Sequence, residues 1–214
     1  HLLLAVGGGF MVTGPVRAAW ARAEARPGWA ALTALALLLS VLLFFTAYAN
    51  PLSEAALARG QAPAGDEQIF LRQSLGVASL LLQTALTMGA ALLAVRRWIL
   101  PFGSLTLLIG LSTLLAISVH EDWGLLPFAV IGGLAADGLV QWLKPSSERP
   151  GALRGFAFAV PVIFYALYFA TLALTDGLWW TIPLWAGAIV MAGIVGWLLS
   201  YAFVPPSTPV ASHA

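Results

Sequence analysis

Asp137 is the one ionisable residue that this 214-residue sequence sets well inside an apolar run. It lies roughly 10 Å from Lys144, the next charge along, if the stretch between them is helical. A carboxyl group at such depth in hydrocarbon is costly and has two main uses. It can relay a proton or a cation, neutral or ionised according to its neighbours, or it can accept hydrogen bonds that tie helices together. Residues Ala129, Gly133, Asp137 and Gln141 fall four apart, which places Asp137 on a small-residue stripe facing other helices. No second acid and no base stands at its depth, so the structural use is favoured, with a hydroxyl, Gln141 or Lys144 as the expected partner.

The densest polar cluster is His120-Glu121-Asp122-Trp123. His120 ends a second small and polar stripe (Gly103, Thr106, Gly110, Thr113, Ile117), and His1 opens the first apolar run on the same predicted side. Two imidazoles with Glu121, Asp122 and Asp176 offer donors for copper, zinc or iron, or an axial pair for a haem. The motif is weak, since local ligand spacing such as His-x-x-x-His is missing. A three-residue connection between apolar runs must in any case be polar. Arg72, a turn inside its span, is expected to reach outward or to pair with Glu67, Glu121, Asp122 or Asp176. Tyr165 and Tyr168, with Thr171, read as aromatic packing before they read as a cavity or pigment lining. Met11, Met88 and Met191 are scattered and trace no metal path.

Several chemistries are excluded. With no cysteine there is no disulfide, thiolate metal site, iron–sulfur cluster or cysteine nucleophile. No nucleotide loop, nucleophile–base motif or H-E-x-x-H occurs. No lysine lies within a predicted span, so a retinal Schiff base is ruled out. The net charge of +1 and the lack of a basic tract give no sign of nucleic-acid binding.

The elements that must position these residues are apolar runs. The chain is 60% hydrophobic and 9% charged, against roughly 25% charged in a soluble domain. That composition suits a lipid bilayer and does not suit a water-facing surface. Runs long enough to span occupy 2–20, 29–49, 68–95, 98–119, 123–143, 156–175 and 178–204, which predicts an all-α polytopic bundle of seven helices. Residues 1–204 then form one membrane domain, and the Pro/Ser-rich 205–214 a disordered cytoplasmic tail. Because an apolar run begins at once after His1 with no charged segment ahead of it, further residues upstream are expected.

Alternate connections separate by charge. One set holds Arg17, Arg22, Arg26, Arg96, Arg97, Lys144, Arg149 and Arg154 against Glu24 and Glu148. The other holds Glu54, Asp66, Glu67, Glu121, Asp122 and Asp176 against Arg59 and Arg72. The positive-inside rule makes the first set cytoplasmic, with the N-terminus outside and the C-terminus inside. Trp20, Trp29, Trp98 and Trp142 then fall at the inner interface, and Trp123, Trp179 and Trp180 at the outer one.

Two more stripes are predicted to face protein: Arg72, Gly76, Ser79, Gln83, Thr87 and Ala188, Ala192, Gly196, Ser200. Pro161 and Pro183 should bend their helices. Short connections and an Ala/Leu/Arg-rich composition suggest a bacterial inner membrane. Three functions fit: a non-catalytic subunit or scaffold packed among other membrane subunits, a copper- or haem-bearing protein using His1 and His120, or a small permease centred on Asp137.

Overall fold

A computed structural model describes residues 2–22, 25–47, 50–118 and 121–205. The predicted tail lies almost wholly outside them. Its helices are α1 (Leu2–Val12), α2 (Gly14–Ala21), α3 (Trp29–Phe45), α4 (Asp66–Arg97), α5 (Ser104–Ile117), α6 (Leu126–Leu143), α7 (Pro150–Thr175) and α8 (Ile182–Phe203). Single 3₁₀ turns cover Ala55–Leu57 and Trp123–Leu125. Among the described residues, four helical segments are long and apolar enough to cross a membrane: α4, α6 with its leading turn, α7 and α8. The chain is a helical membrane-type bundle.

The remaining apolar runs are shorter than the sequence suggests. The first is interrupted at Thr13, with Pro15 in the opening turn of α2. The run 98–119 is helical only from Ser104 to Ile117, about 21 Å at the α-helical rise against a hydrocarbon thickness of about 30 Å. Pro101 and Gly103 cause the difference. Pro101 disfavours helix before it, and Gly103 takes φ 92°, a left-handed value that glycine adopts without strain. Residues 98–101 therefore run as a non-helical arm that turns into α5 at 102–103, with Trp98 and Leu100 buried and the Ile99 amide donating to the Ala25 carbonyl at 2.8 Å. Pro183 also departs from expectation. It sits in the first turn of α8, where proline fits, and so starts the helix instead of bending it. Pro161 lies inside α7 as expected.

The main helices close a ring in the order α3, α5, α6, α7, α8, α4, with α1 and α2 appended to α3. Small residues set the close approaches. A Cβ added to Gly133 would lie 2.6 Å from Thr106 Cα, and one on Gly196 would overlap the Ala157 carbonyl oxygen. That carbonyl has lost its intrahelical donor to Pro161 four residues on. The α8 stripe Ala188, Ala192, Gly196 and Ser200 is buried throughout, as are Gly76, Ser79 and Gln83 of α4. The α8 stripe and the Gly76, Ser79 and Gln83 part of the α4 stripe are thus spent on packing within the chain.

Contacts collect the connections at two ends. At one, Arg97 donates to the Trp20 carbonyl and Arg154 lies 4.0 Å over the Tyr201 ring; we call this the basic end. At the other, the acidic end, residues 50–60 fold down onto the bundle beside 121–125 and 176–180.

Candidate functional site

Asp137 lies 2% exposed on α6, and its carboxylate is fully engaged. Oδ1 accepts the Leu105 amide at 3.0 Å; Oδ2 accepts the Thr106 amide at 2.9 Å and the Thr106 hydroxyl at 2.6 Å. Leu105 and Thr106 are the second and third residues of α5. The acid thus caps the N-terminus of a neighbouring helix from outside, meeting amides that have no intrahelical acceptor and the positive end of the helix dipole. No residue of its own sequence does this for α5: Gly103 has no side chain, and the Ser104 hydroxyl donates to the Pro101 carbonyl at 2.5 Å. Gly133, one turn earlier on α6, removes the Cβ that would hold the two helices apart.

The expected partners of Asp137 are only partly right. A hydroxyl does engage it, while Gln141 and Lys144 are exposed and belong to a crevice at the basic end. Two main-chain amides, invisible in any side-chain pattern, do most of the work.

At the acidic end the organising residue is Arg59. Its Nη1 contacts Asp122 Oδ1 at 2.6 Å, while Nε and Nη2 contact Asp176 Oδ2 at 2.8 and 2.7 Å. The hydrogen bond to Asp122, aided by the charges of both acids and opposed by partial burial, raises the guanidinium pKa above its ordinary value. The Gly60 amide donates to the Gly177 carbonyl at 2.9 Å, and the Trp179 amide to the Ala58 carbonyl at 3.2 Å. Below this clamp Asn50, Leu52, Ser53 and Ala58 are buried, which is unusual for a connection. Two carbonyls between them are met by side chains from elsewhere in the chain. Tyr168 donates to the Pro51 carbonyl at 2.9 Å, and Trp180 Nε1 to the Leu57 carbonyl at 2.9 Å.

The two tyrosines are packing residues with hydrogen-bonded tips. Tyr165 and Tyr168 are buried among Phe128, Phe164 and Phe169 in edge-on and tilted contacts. Tyr165 donates to the Leu80 carbonyl at 3.0 Å, with Gln83 Oε1 3.4 Å away.

Of the metal-site candidates, His1 and His120 lie outside the described residues. Glu121 is exposed, and Asp122 is held by Arg59. Among the described residues no three His, Asp or Glu side chains come together. Arg72 is exposed and has no ion pair among the described residues. Asp122 and Asp176, two of the acids expected to meet it, are taken by Arg59 instead. The sequence did carry a sign of this, because Arg59 is one of only two bases in the acid-rich connections.

This fold and its polar contacts define a helical membrane-type bundle. No protein-family model, curated protein or solved structure matches the chain.

Proposed function

We propose that the chain is a non-catalytic integral membrane subunit or scaffold that packs within a larger membrane assembly. It would cross a bacterial inner membrane seven times, with the N-terminus outside and the C-terminus in the cytoplasm. The observation that carries this reading is the engagement of Asp137. A relay carboxyl must exchange its proton or cation with a path, whereas all three of the donors around Asp137 belong to the helix it caps. This engagement favours the structural use of Asp137 over the permease reading.

The pairing of Arg59 with Asp122 and Asp176 leads the same way, since it takes two of the three carboxylates offered to the metal reading. For a partner's approach, Gly7, Gly8 and Gly9 of α1 form a run of three small residues at which an added Cβ meets nothing within 4 Å, as it does at Gly89, Gly110, Gly138, Gly155 and Gly187.

Native mass spectrometry of the protein extracted gently from its own membrane tests the proposal. Stable additional subunits are the expected result. A lone chain carrying the mass of copper or haem would overturn it and return His1 and His120 to the front. A bare monomer that transports a solute in proteoliposomes would overturn it as well.

A further inference from the structure

The connection between α4 and α5 meets the end of α6 and the start of α7 around a crevice of about 770 Å³ at the basic end. Arg96, Arg97, Lys144 and Arg149 all line it, and no acid among the described residues does. Arg96, Lys144 and Arg149 have no ion pair among the described residues. Of the two acids that adjoin lining residues in sequence, Glu148 is exposed and lies outside the lining, and Glu24 lies outside the described residues. Arg96, Lys144 and Arg149 are like charges lining one crevice, and they repel one another unless an anion joins them.

Three further features separate this crevice from a solvated basic surface. Lys144 closes α6 in the left-handed region, at φ 48°, where glycine or asparagine is usual. Strained backbone of that kind persists where the surroundings require a particular side chain. Trp98 lines the same wall at 4% exposure, and its indole Nε1 is buried with no acceptor among the described residues. Val95, Ile99, Leu100 and Val140 give the lining an apolar part, Ile99 with an exposed side chain, and Trp142, next to the lining residue Gln141, is exposed as well. Cations and apolar side chains lining one crevice, with an exposed tryptophan next in sequence to it, match the level at which lipid headgroups meet acyl chains.

We propose that this crevice binds the phosphate of an anionic phospholipid headgroup, with its acyl chains against the Val95, Ile99 and Val140 side. Arginine would grip the phosphate oxygens through paired N–H donors, and Lys144 would act as a point charge. A free phosphate offers the same oxygens without the chains, so the two sources are separable.

The test is native mass spectrometry of the full chain in detergent, titrated separately with phosphatidylglycerol, phosphatidylcholine and inorganic phosphate. Phosphatidylglycerol is expected to bind selectively. Each cation removed should weaken it roughly fivefold, so that R96Q/K144Q/R149Q loses on the order of a hundredfold. The charge-preserving R96K/K144R/R149K should keep most of the binding. Circular dichroism and Tm of both variants report whether the fold survives. If the neutral variant does not fold, the wild-type comparison of the two lipids decides alone. Equal retention of phosphatidylcholine and phosphatidylglycerol by the wild type would overturn the proposal. So would an inorganic phosphate adduct that displaces phosphatidylglycerol, which would assign the crevice to the free anion.

Discussion

Asp137 of α6 closes the N-terminus of α5, taking the amides of Leu105 and Thr106 and the Thr106 hydroxyl within 3.0 Å. This joint lets a helix of only 14 residues begin inside the bundle. Amides in a region without water need an acceptor from the protein, and Asp137 supplies it for two of them.

Asp137→Ala should therefore leave two buried amides without their acceptor and destabilise the protein by about 2–4 kcal/mol. Asp137→Asn should also destabilise, by about 1–3 kcal/mol, because an amide group offers one acceptor oxygen where the carboxylate offers two. Thermal unfolding in detergent checks both. An Asp137→Asn protein with unchanged Tm and altered transport would show that the acid has a functional role.

Gly133 and Asp137 act at the same contact, one through close approach and the other through hydrogen bonding. Gly133→Leu should push α6 away from Thr106 and cost about 1–3 kcal/mol. Combined with Asp137→Ala, the loss should fall short of the sum, since separated helices have no Asp137 bonds left to lose. A double-mutant cycle on Tm or denaturant midpoint measures that coupling.

Two α8 glycines should respond in opposite directions to alanine. At Gly196 the new methyl meets the Ala157 carbonyl oxygen, which is backbone and cannot swing aside, so a loss of about 1–3 kcal/mol is expected. At Gly187, exposed with nothing within 4 Å, the same change should stabilise by about 0.5–1 kcal/mol through helix propensity. Equal responses at the two sites would contradict the α7–α8 packing described above.

Arg59→Gln should release the connection over residues 50–60 while the helices stay folded. The guanidinium side chain is 31% exposed and its partners 23% and 46%, so solvent screening keeps the effect to about 1 kcal/mol. Faster hydrogen exchange confined to this connection and to 176–180 is the expected reading. Tyr168→Phe should add to it by leaving the Pro51 carbonyl without its phenolic donor, at a cost of about 1 kcal/mol.

Composition and local pattern carried the sequence reading a long way. A chain with this apolar content has one solvent in which it can fold stably, so a helical membrane-type bundle followed from residue types alone. Packing on α8 was equally legible, because Ala188, Ala192, Gly196 and Ser200 share one face by helical periodicity, and that face is buried. The inward bearing of Asp137 followed from the same arithmetic.

What periodicity could not give was the acceptor's use. The partners of Asp137 are main-chain amides some thirty residues away, exposed because Gly103 and Pro101 start α5 late. A proline and a glycine near the start of an apolar run look like an ordinary interface, and the depth at which α5 begins depends on how it slides against α6. The pairing of Arg59 with Asp122 and Asp176 has the same origin, since it joins residues 63 and 117 positions apart. Residue type and spacing determine which face of a helix seeks protein and which solvent the chain requires. Which donor meets which acceptor across the bundle is decided only once the helices have settled in register, because hydrogen bonds act over about 3 Å and one helical turn moves a group by about 5.4 Å.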